Sequence, residues 1–449
     1  MNWLRGRSCF SVFARPAFAH LGLPVCLRPP RALSTTAEGL WLGFKNTTPW
    51  PAREKPHAFF PIWEMQKGCR LMEWYEEFRS LFPALRDRVY LDIAHHCCPP
   101  APVVDAEYAF LSTLSRTGGS NQVPNESVPP VREKIANFVG AKANEIAFIR
   151  STADGVNVVA QALPLMPGDE VIVNDQDHPS NVLPWLALRK RGVVIRIAKS
   201  QDYRVPLESI VQEVTPRTRV VAISHVQHRS GFRCDLKALS EMCHSRGVWL
   251  VTDAIQSAGS SPLDVRELGV DAAAGGSYKH LLGHVGSGFL YCSEGLLDVM
   301  DPVYVGPSAV VRGNKDTGWQ VEVLDKRDAR RLEAGSVNEA GAIGLGAGLD
   351  LHFKYGPRRI HERILGLATK AAGLLRETGY RVICSSTPGE MSGLVSFKVD
   401  SAENFRKHLL ANGIYASTKD TDVIRVSVHA YTLEWEIDRL AEVAARYDH

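Results

Sequence analysis

Short apolar runs alternate with amphipathic segments along most of the chain from about residue 131. The apolar runs include EIAFIR, DEVIVN, VVIRIA, RVVAISHV, VWLVTDA and GSGFLYCS, and segments of helical spacing such as ADGVNVVAQAL and LKALSEMCHSRG lie between them. Unbroken apolar runs are typical of strands that are buried on both faces. The alternation predicts an α/β fold with a mostly parallel sheet flanked by helices, in which ligands bind at the carboxyl ends of the strands.

The pattern changes near residue 345. Helical segments, among them HERILGLATKAAGLLRETG, precede the short strands YRVICSS and GLVSFKV, and LEWEIDRLAEVAARY predicts a last helix. This order is typical of a smaller α+β domain. We therefore predict a large domain over residues 101–344 and a small C-terminal domain over residues 345–449. Residues 71–100 are predicted to form an N-terminal segment that joins the small domain.

Composition narrows the class of protein. The 449 residues are 45% hydrophobic and 22% charged, which is ordinary for a globular chain of two domains. The chain has 52 Lys and Arg against 49 acidic residues, and this near balance argues against a nucleic-acid binder. No apolar run is long enough for a membrane-spanning helix. The nine cysteines lack metal-type spacing, which favours free thiols in a reducing compartment.

The first residues have the composition of a targeting segment. Residues 1–37 contain five Arg, several Ser and Thr, and no Lys, Asp or Glu. This composition is typical of an organelle transit peptide, whereas Pro and Arg interrupt the apolar stretch that a secretory signal needs. We predict mitochondrial localisation, with a plastid or the cytoplasm as alternatives, and a linker or surface arm over residues 38–70.

Four polar positions follow or lie near predicted strands, and each can be interpreted either as structural or as part of a binding or catalytic site. Lys279 in GGSYKHLLG is either solvated or, if desolvated, able to form a Schiff base with an aldehyde cofactor. Asp253 is a helix cap or the partner of a pyridinium nitrogen. Thr152 and the Ala153 amide form an ordinary helix start or an anion site. His178 is structural or stacks on a flat cofactor and moves protons.

The order of these positions along the chain resembles that of fold-type I pyridoxal phosphate (PLP) enzymes. From VYLDIA to the C-terminus the sequence is similar to the class V aminotransferase family, which includes cysteine desulfurases and isopenicillin-N-epimerase-like proteins. The segments HPSNVLPW, TDAIQSAG, SYKHLLG, GSGFLY, EAGSVNEAGAIGLGAGLD and IRVSVHAYTLEWEIDRL carry the resemblance. It implies a fold-type I PLP-dependent transferase that acts on a small amino acid and forms a homodimer with shared active sites.

The resemblance also implies a role for each residue that matches a family motif. Lys279 corresponds to the Schiff-base lysine, Asp253 to the partner of the pyridine nitrogen and His178 to the ring-stacking histidine. Gln256 corresponds to the residue near the ring oxygen. The implied contacts to the cofactor phosphate are Thr152, Ala153, Tyr278, Ser277 and, from the neighbouring subunit, Ser336. Ser277 substitutes for a serine that many relatives have one position earlier.

The expected substrate side of the site contains basic and sulfur-containing residues. Arg425 resembles the arginine that clamps the substrate carboxylate, and the alternative is a surface salt bridge with nearby acids. His95 and His96, in LDIAHHCCPP, match a loop that faces the substrate in relatives, and the alternative is that they pack structurally. The adjacent Cys97 and Cys98 could attack an aldehyde if they lie near it.

One departure from the family bears on the reaction. Cysteine desulfurases carry a nucleophilic cysteine in a loop ahead of the carboxylate arginine, and the corresponding stretch NGIYASTKDTDVIR has none. We rank aminotransferase first among the hypotheses and a PLP-dependent C–S or C–Se lyase, or an epimerase, as the alternative. A non-catalytic binding protein with a degenerate site is the hypothesis of another class. A nicotinamide dehydrogenase is rejected because FVGAKANEI is not the required glycine-rich turn.

Overall fold

The structure is a computed structural model that describes residues 72–118, 122–306, 310–311, 322–323 and 327–447. The expected transit peptide (residues 1–37) and linker (residues 38–70) lie outside these ranges. None of the helices in the described ranges is long and apolar enough to cross a membrane. The chain begins its described part with α1 (Trp74–Ser80), β1 (Val89–Tyr90), α2 (Ala101–Thr117) and α3 (Gln122–Val139).

A seven-stranded sheet forms the centre of the fold. Its strands are β2 (Ile146–Ile149), β3 (Glu170–Asn174), β4 (Val194–Ala198), β5 (Thr218–Ser224), β6 (Trp249–Asp253), β7 (Ala272–Gly276) and β8 (Gly288–Cys292). The spatial order is β2-β8-β7-β6-β5-β3-β4. Neighbouring strands are parallel except where β8 pairs with β2 and β7. The predicted mostly parallel sheet is confirmed.

Helices cover both faces of this sheet. They are α4 (Thr152–Ala162), α5 (Pro179–Leu186), α6 (Leu207–Val211), α7 (Leu236–His244), α8 (Glu294–Val299) and α9 (Glu339–Tyr355). Alternate strand residues enter two different hydrophobic cores. Val171 and Val220 pack with the α4 and α5 side, whereas Ile172 and Val221 pack with α3, α7 and α9. This burial of both faces explains why the strands have unbroken apolar sequences.

Strand β7 has the sequence AAAGG, a composition that disfavours strands on its own. Its small residues are required by close contacts with β8. A Cβ atom on Gly275 would lie 2.8 Å from the Phe289 ring, and one on Gly288 would lie 2.4 Å from the carbonyl oxygen of Gly275. The two strands therefore approach closely just before the chain reaches residues 277–279, which positions the segment that follows β7.

The rest of the described chain forms smaller sheets and further helices. Its elements are β9 (Val310–Val311), β10 (Glu322–Val323), α10 (Pro357–Glu377), β11 (Leu394–Lys398), α11 (Ala402–Ala411), β12 (Ile414–Tyr415), β13 (Ser417–Asp420), β14 (Val423–Ser427) and α12 (Glu434–Ala445). The order β11-β14-β13 makes an antiparallel sheet, and β1 pairs in parallel with β12.

One core joins the ends of the described chain. Phe78, Phe82 and Ile93 are buried in the same cluster as residues of α10, β11, β14 and α12. Two predicted strands are shorter than expected. The strand of VYLDIA covers only Val89–Tyr90, because the chain turns after Asp92, and YRVICSS contributes a single bridge from Val382. The domain boundaries at 100/101 and 344/345 remain predictions.

The close approach of β7 and β8 predicts that Gly288→Ala is destabilising. We expect a loss of about 1–3 kcal/mol, because the new methyl group overlaps the backbone oxygen of Gly275. Gly366→Ala in α10 is the control, since that position is open and helical, and it should stabilise by about 0.5–1 kcal/mol. Urea denaturation measures both changes. A Gly288→Ala variant as stable as the parent would contradict the packing described.

Candidate active site

A cavity of about 520 Å³ lies at the carboxyl ends of β5, β6 and β7. The loop after β1, the N-terminal ends of α4 and α5, and the hairpin β13–β14 complete its wall. It is lined by Ala94, His95, His96, Ser151, Thr152, Ala153, His178, Pro179, Ser180, Ser224, Val226, His228, Asp253, Ile255, Gln256, Tyr278, Lys279, Thr418, Lys419 and Arg425. Ligands of parallel α/β sheets bind at this position.

Lys279 presents a buried amine to the cavity. Its side chain follows β7, is only 9% exposed and makes no hydrogen bond or ion pair with any described residue. Its Nζ atom lies 5.7 Å from the centroid of the Tyr278 ring. Burial, reinforced by the charge of Arg425, lowers the pKa of the Lys279 amine, which favours the neutral, nucleophilic form.

Asp253 is the last residue of β6 and is 2% exposed. Its Oδ1 atom accepts a hydrogen bond of 2.9 Å from the backbone N–H of Ile255. Burial raises the pKa of this carboxyl, and the backbone hydrogen bond and the nearby Lys279 amine oppose that shift. A carboxylate held in such surroundings gains most from a cationic partner, because pairing offsets its desolvation.

The N-terminus of α4 supplies backbone donors. Ser151 caps the helix, and its Oγ atom accepts a hydrogen bond of 3.2 Å from the N–H of Asp154. Thr152 is held by a hydrogen bond of 3.1 Å that its Oγ1 atom accepts from the N–H of Gly276. The amides of Thr152 and Ala153 have no partner within the helix, and together with the helix dipole they are suited to hold an anion.

His178 caps α5 with its ring. Its Nδ1 atom accepts a hydrogen bond of 3.2 Å from the N–H of Ser180, which places the proton of the neutral ring on Nε2. Burial and the nearby amine of Lys279 lower the pKa of His178. Asp177 braces this loop by accepting hydrogen bonds from Asn181 and from the N–H of Ser224. Burial raises the pKa of Asp177 to about 6, a feature that the sequence did not reveal.

The loop after β1 reaches the cavity through a series of hydrogen bonds. The N–H of Ala94 donates to Ser427 at 2.9 Å, and the carbonyl of Ala94 accepts from Gln256 Nε2 at 2.9 Å. Gln256 Oε1 is buried without a hydrogen-bond partner among the described residues. These bonds fix the loop that carries His95 and His96, and the ring centroid of His96 lies 5.4 Å from that of Tyr278.

Arg425 lies on β14 and is 1% exposed. Its Nη1 atom donates a hydrogen bond of 2.8 Å to the carbonyl of His228, and its Nη2 atom lies 3.7 Å from Asp92 Oδ1. Burial lowers the pKa of Arg425 to about 10. Lys419, which was not singled out from the sequence, lines the same wall, and burial together with the Arg425 charge lowers its pKa to about 8.

Several residues named from the sequence lie outside this cavity. The Ser277 hydroxyl is engaged with the carbonyl of His284 and with Ser287. Ser336 lines a separate cavity of about 530 Å³. Cys97 and Cys98 belong to the core shared by α1 and the C-terminal elements, and burial raises their pKa values to about 12 and 11. None of the cysteines in the described ranges lines the candidate site.

Comparisons with known proteins extend over most of the chain. Residues 89–440 match the family model described as Aminotransferase class-V. The chain is 33% identical over 334 residues to a probable cysteine desulfurase of Methanothermobacter thermautotrophicus, covering 73% of this chain and 82% of that protein. It is 27% identical to the uncharacterized aminotransferase YcbU of Bacillus subtilis, covering 83% of this chain and 98% of that protein.

A solved structure supports the fold. The cystine C–S lyase C-DES, in complex with its reaction product cysteine persulfide, superposes with a TM-score of 0.76 at 26% identity. The match covers 82% of this chain and 100% of that chain. A mutant form of C-DES carries glycine covalently linked to its PLP cofactor. PLP is the cofactor of this class of enzyme, and the fold-type I architecture expected from the sequence is confirmed.

The residues around the cavity fit PLP. The cofactor has an anionic phosphate, a ring nitrogen that can be protonated and an aldehyde, and the cavity offers a counterpart to each. The start of α4 would hold the phosphate, Asp253 the ring nitrogen and Lys279 the aldehyde carbon. The unpaired Gln256 Oε1 marks a further polar position that lacks a partner within the described chain.

Borohydride reduction tests the position of Lys279. We expect reduction of the PLP-loaded protein to attach the cofactor irreversibly to the peptide that contains Lys279, because this buried amine favours its neutral form. Peptide mapping by mass spectrometry identifies the labelled residue. Lys419→Ala is the matched control, since Lys419 is the other lysine that the described residues contribute to the cavity wall, and its loss should leave the label in place. A label on Lys419 in the parent protein would contradict the assignment.

Proposed function

The chain belongs to the class V aminotransferase family, and from that premise we propose that it is a PLP-dependent aminotransferase that acts on a small amino acid. One observation supports this proposal most directly. The cavity combines the buried amine of Lys279, the buried carboxyl group of Asp253 and the start of α4, while none of the cysteines in the described part of the chain lines it. A site without a thiol suits reactions that need no sulfur nucleophile.

Each residue then has a defined task. PLP, when bound, supplies an electron sink for the negative charge that develops at the substrate α-carbon. Asp253 accepts a hydrogen bond from the ring nitrogen and so holds a proton there. Lys279 Nζ, whose neutral form burial favours because it lowers the pKa of the amine, removes the proton from the α-carbon as a general base.

Other residues position the reactants. His178, whose pKa is lowered by burial, covers the ring without adding charge. Arg425 binds the substrate carboxylate with Nε and Nη2, the two donors that have no hydrogen-bond partner among the described residues. Its Nη1 atom remains on the carbonyl of His228, which fixes the plane of the guanidinium group.

A C–S lyase is the second candidate. It is favoured by the similarity to C-DES and to a cysteine desulfurase, combined with the lack of a thiol in the cavity wall within the described residues. Such an enzyme would release its sulfur product directly, because no enzyme cysteine in that wall could accept it. The same Lys279 would remove the α-proton, so the two candidates differ in the fate of the β-substituent.

We extend the proposal to assembly and location. A homodimer would allow Ser336, which lies outside the cavity of its own subunit, to reach the phosphate site of the other subunit. Sedimentation at equilibrium measures this state. The Arg-rich, acid-free leader favours import into mitochondria, with a plastid or the cytoplasm as alternatives, and localisation of the full chain with and without residues 1–37 tests it.

Product analysis separates the two candidate reactions. We expect small amino acids to yield more than one equivalent of keto acid per site only when a keto-acid acceptor is supplied, whereas a C–S lyase yields pyruvate, ammonia and a sulfur product from cysteine or cystine over many turnovers without one. Lys279→Ala should lower kcat/KM by about 10²–10⁴-fold, because the general base is lost. Cys97→Ser is the control and should retain activity, since Cys97 lies outside the cavity. Sulfur release without an acceptor would overturn the aminotransferase assignment.

A further inference from the structure

Lys419 occupies an unusual position in the hairpin β13–β14. Thr418 pairs with Ile424 and Asp420 pairs with Val423, so Lys419 is the extra residue of a β-bulge. Bulges redirect a side chain and are frequent beside active sites. Thr418 and Lys419 both line the cavity. Lys419 makes no hydrogen bond or ion pair with any described residue, so its ammonium group is a cation in the cavity wall without a counter-ion.

The neighbouring cation, Arg425, already has an internal counter-ion. Asp92 Oδ1 lies 3.7 Å from Arg425 Nη2 and also accepts a hydrogen bond from the hydroxyl of Ser417. The side chains of Arg425 and Asp92 are 1% and 13% exposed, so this pair is shielded from solvent. Because the charges of a buried pair offset each other, Arg425 adds donors to the wall but little net charge.

Once the Arg425–Asp92 pair is set aside, the charged side chains of the cavity wall carry an excess of one positive charge. Among the described residues, the Asp, Glu, Lys and Arg side chains in its wall are Asp253, Lys279, Lys419 and Arg425. In the PLP-loaded protein, Asp253 would pair with the ring nitrogen of the cofactor and Lys279 would hold its aldehyde carbon. Burial lowers the pKa values of three lining histidines, which are therefore neutral at pH 7, namely His95, His178 and His228. Within the described chain, Lys419 is thus the remaining lysine or arginine of the wall that no carboxylate pairs directly, and its charge attracts an anion.

We propose that Lys419 binds the substrate carboxylate together with Arg425, and that the cavity has charge for one carboxylate only, so that its substrate is an amino acid with an uncharged side chain. This inference rests on the proposed function. The carboxylate accepts hydrogen bonds from Lys419 Nζ and from the free donors of Arg425. Aspartate and glutamate carry a second carboxylate. Because Asp92 already offsets the charge of Arg425, this second carboxylate would be buried without a cationic partner, which disfavours its binding.

Calorimetry with non-reacting carboxylates tests the proposal on the PLP-loaded protein. We expect propionate to bind at least tenfold tighter than succinate to the parent. Lys419→Met should weaken propionate binding about 10–100-fold, while Lys419→Arg, which keeps the charge, should retain binding within a few-fold. Lys407→Met is the matched control, because Lys407 is an exposed lysine on α11 outside the cavity. It should leave both ligands unaffected.

Asp92→Asn tests whether the Asp92 carboxylate offsets the charge of Arg425. Removal of this carboxylate releases the charge of Arg425, and we expect succinate to bind at least tenfold tighter than it binds to the parent. Two results would overturn the proposal. One is propionate binding within twofold of the parent in Lys419→Met, and the other is a parent that prefers succinate, in which case Lys419 recognises a side-chain anion. Both remain measurable if Asp92→Asn does not fold.

The pH dependence gives a second readout. The pKa of the Lys419 ammonium is lowered to about 8 by burial and by Arg425, and Asp92 opposes this shift. The groups that sense its charge are Lys279, His95, His178 and His228. Because lysine is charged below its pKa, propionate affinity should fall as the pH rises above about 8. This loss should disappear in Lys419→Arg, and an unchanged profile would contradict the proposal.

These binding measurements do not depend on turnover. If no amino acid is converted but Lys419→Met still weakens propionate, the proposed function fails and the carboxylate site stands. If amino acids are converted and Lys419→Met leaves propionate binding unchanged, the carboxylate site fails and the proposed function stands.

Discussion

Burial of the Lys279 amine beside the carboxyl group of Asp253 is the constraint on which the rest of the site depends. Burial raises the free energy of a charged amine and of a charged carboxylate, because both lose their contacts with water. For the Lys279 amine, repulsion from the positive charge of Arg425 destabilises the charged form further. The sheet holds both groups in this buried position, because Asp253 ends β6 and Lys279 follows the adjacent strand β7. The result is an amine that favours its neutral form and a carboxyl group that gains from a cationic partner.

The fold brings distant parts of the chain to this pair. Strands with both faces buried place the ends of β5, β6 and β7 at one edge of the sheet, where the start of α4 adds its amides. The C-terminal hairpin closes the cavity because Ser427 holds Ala94, and Ala94 in turn holds Gln256. The side chains of Ser427 and Gln256 are therefore joined through hydrogen bonds to the backbone of Ala94, and the site is a property of the whole fold.

The sequence predicts those features that depend on local signals. Asp253, Thr152 and His178 each lie at or after the end of an apolar strand. Their positions predicted that the site lies at the edge of the sheet where the carboxyl ends of the parallel strands meet. Lys419 and Asp92 could not be found in this way. Lys419 faces the cavity through a bulge, and Asp92 matters only through its distance to Arg425. Ser277 shows the reverse case, since its sequence position suggested the cofactor but its hydroxyl is engaged by His284 and Ser287.

A crystal structure of the protein soaked in PLP would show which side chain holds the cofactor. We expect continuous electron density between Lys279 Nζ and the cofactor, with the ring nitrogen on Asp253 and the phosphate at the start of α4. Density that joins the cofactor to another side chain, or an empty cavity at saturating PLP, would contradict it.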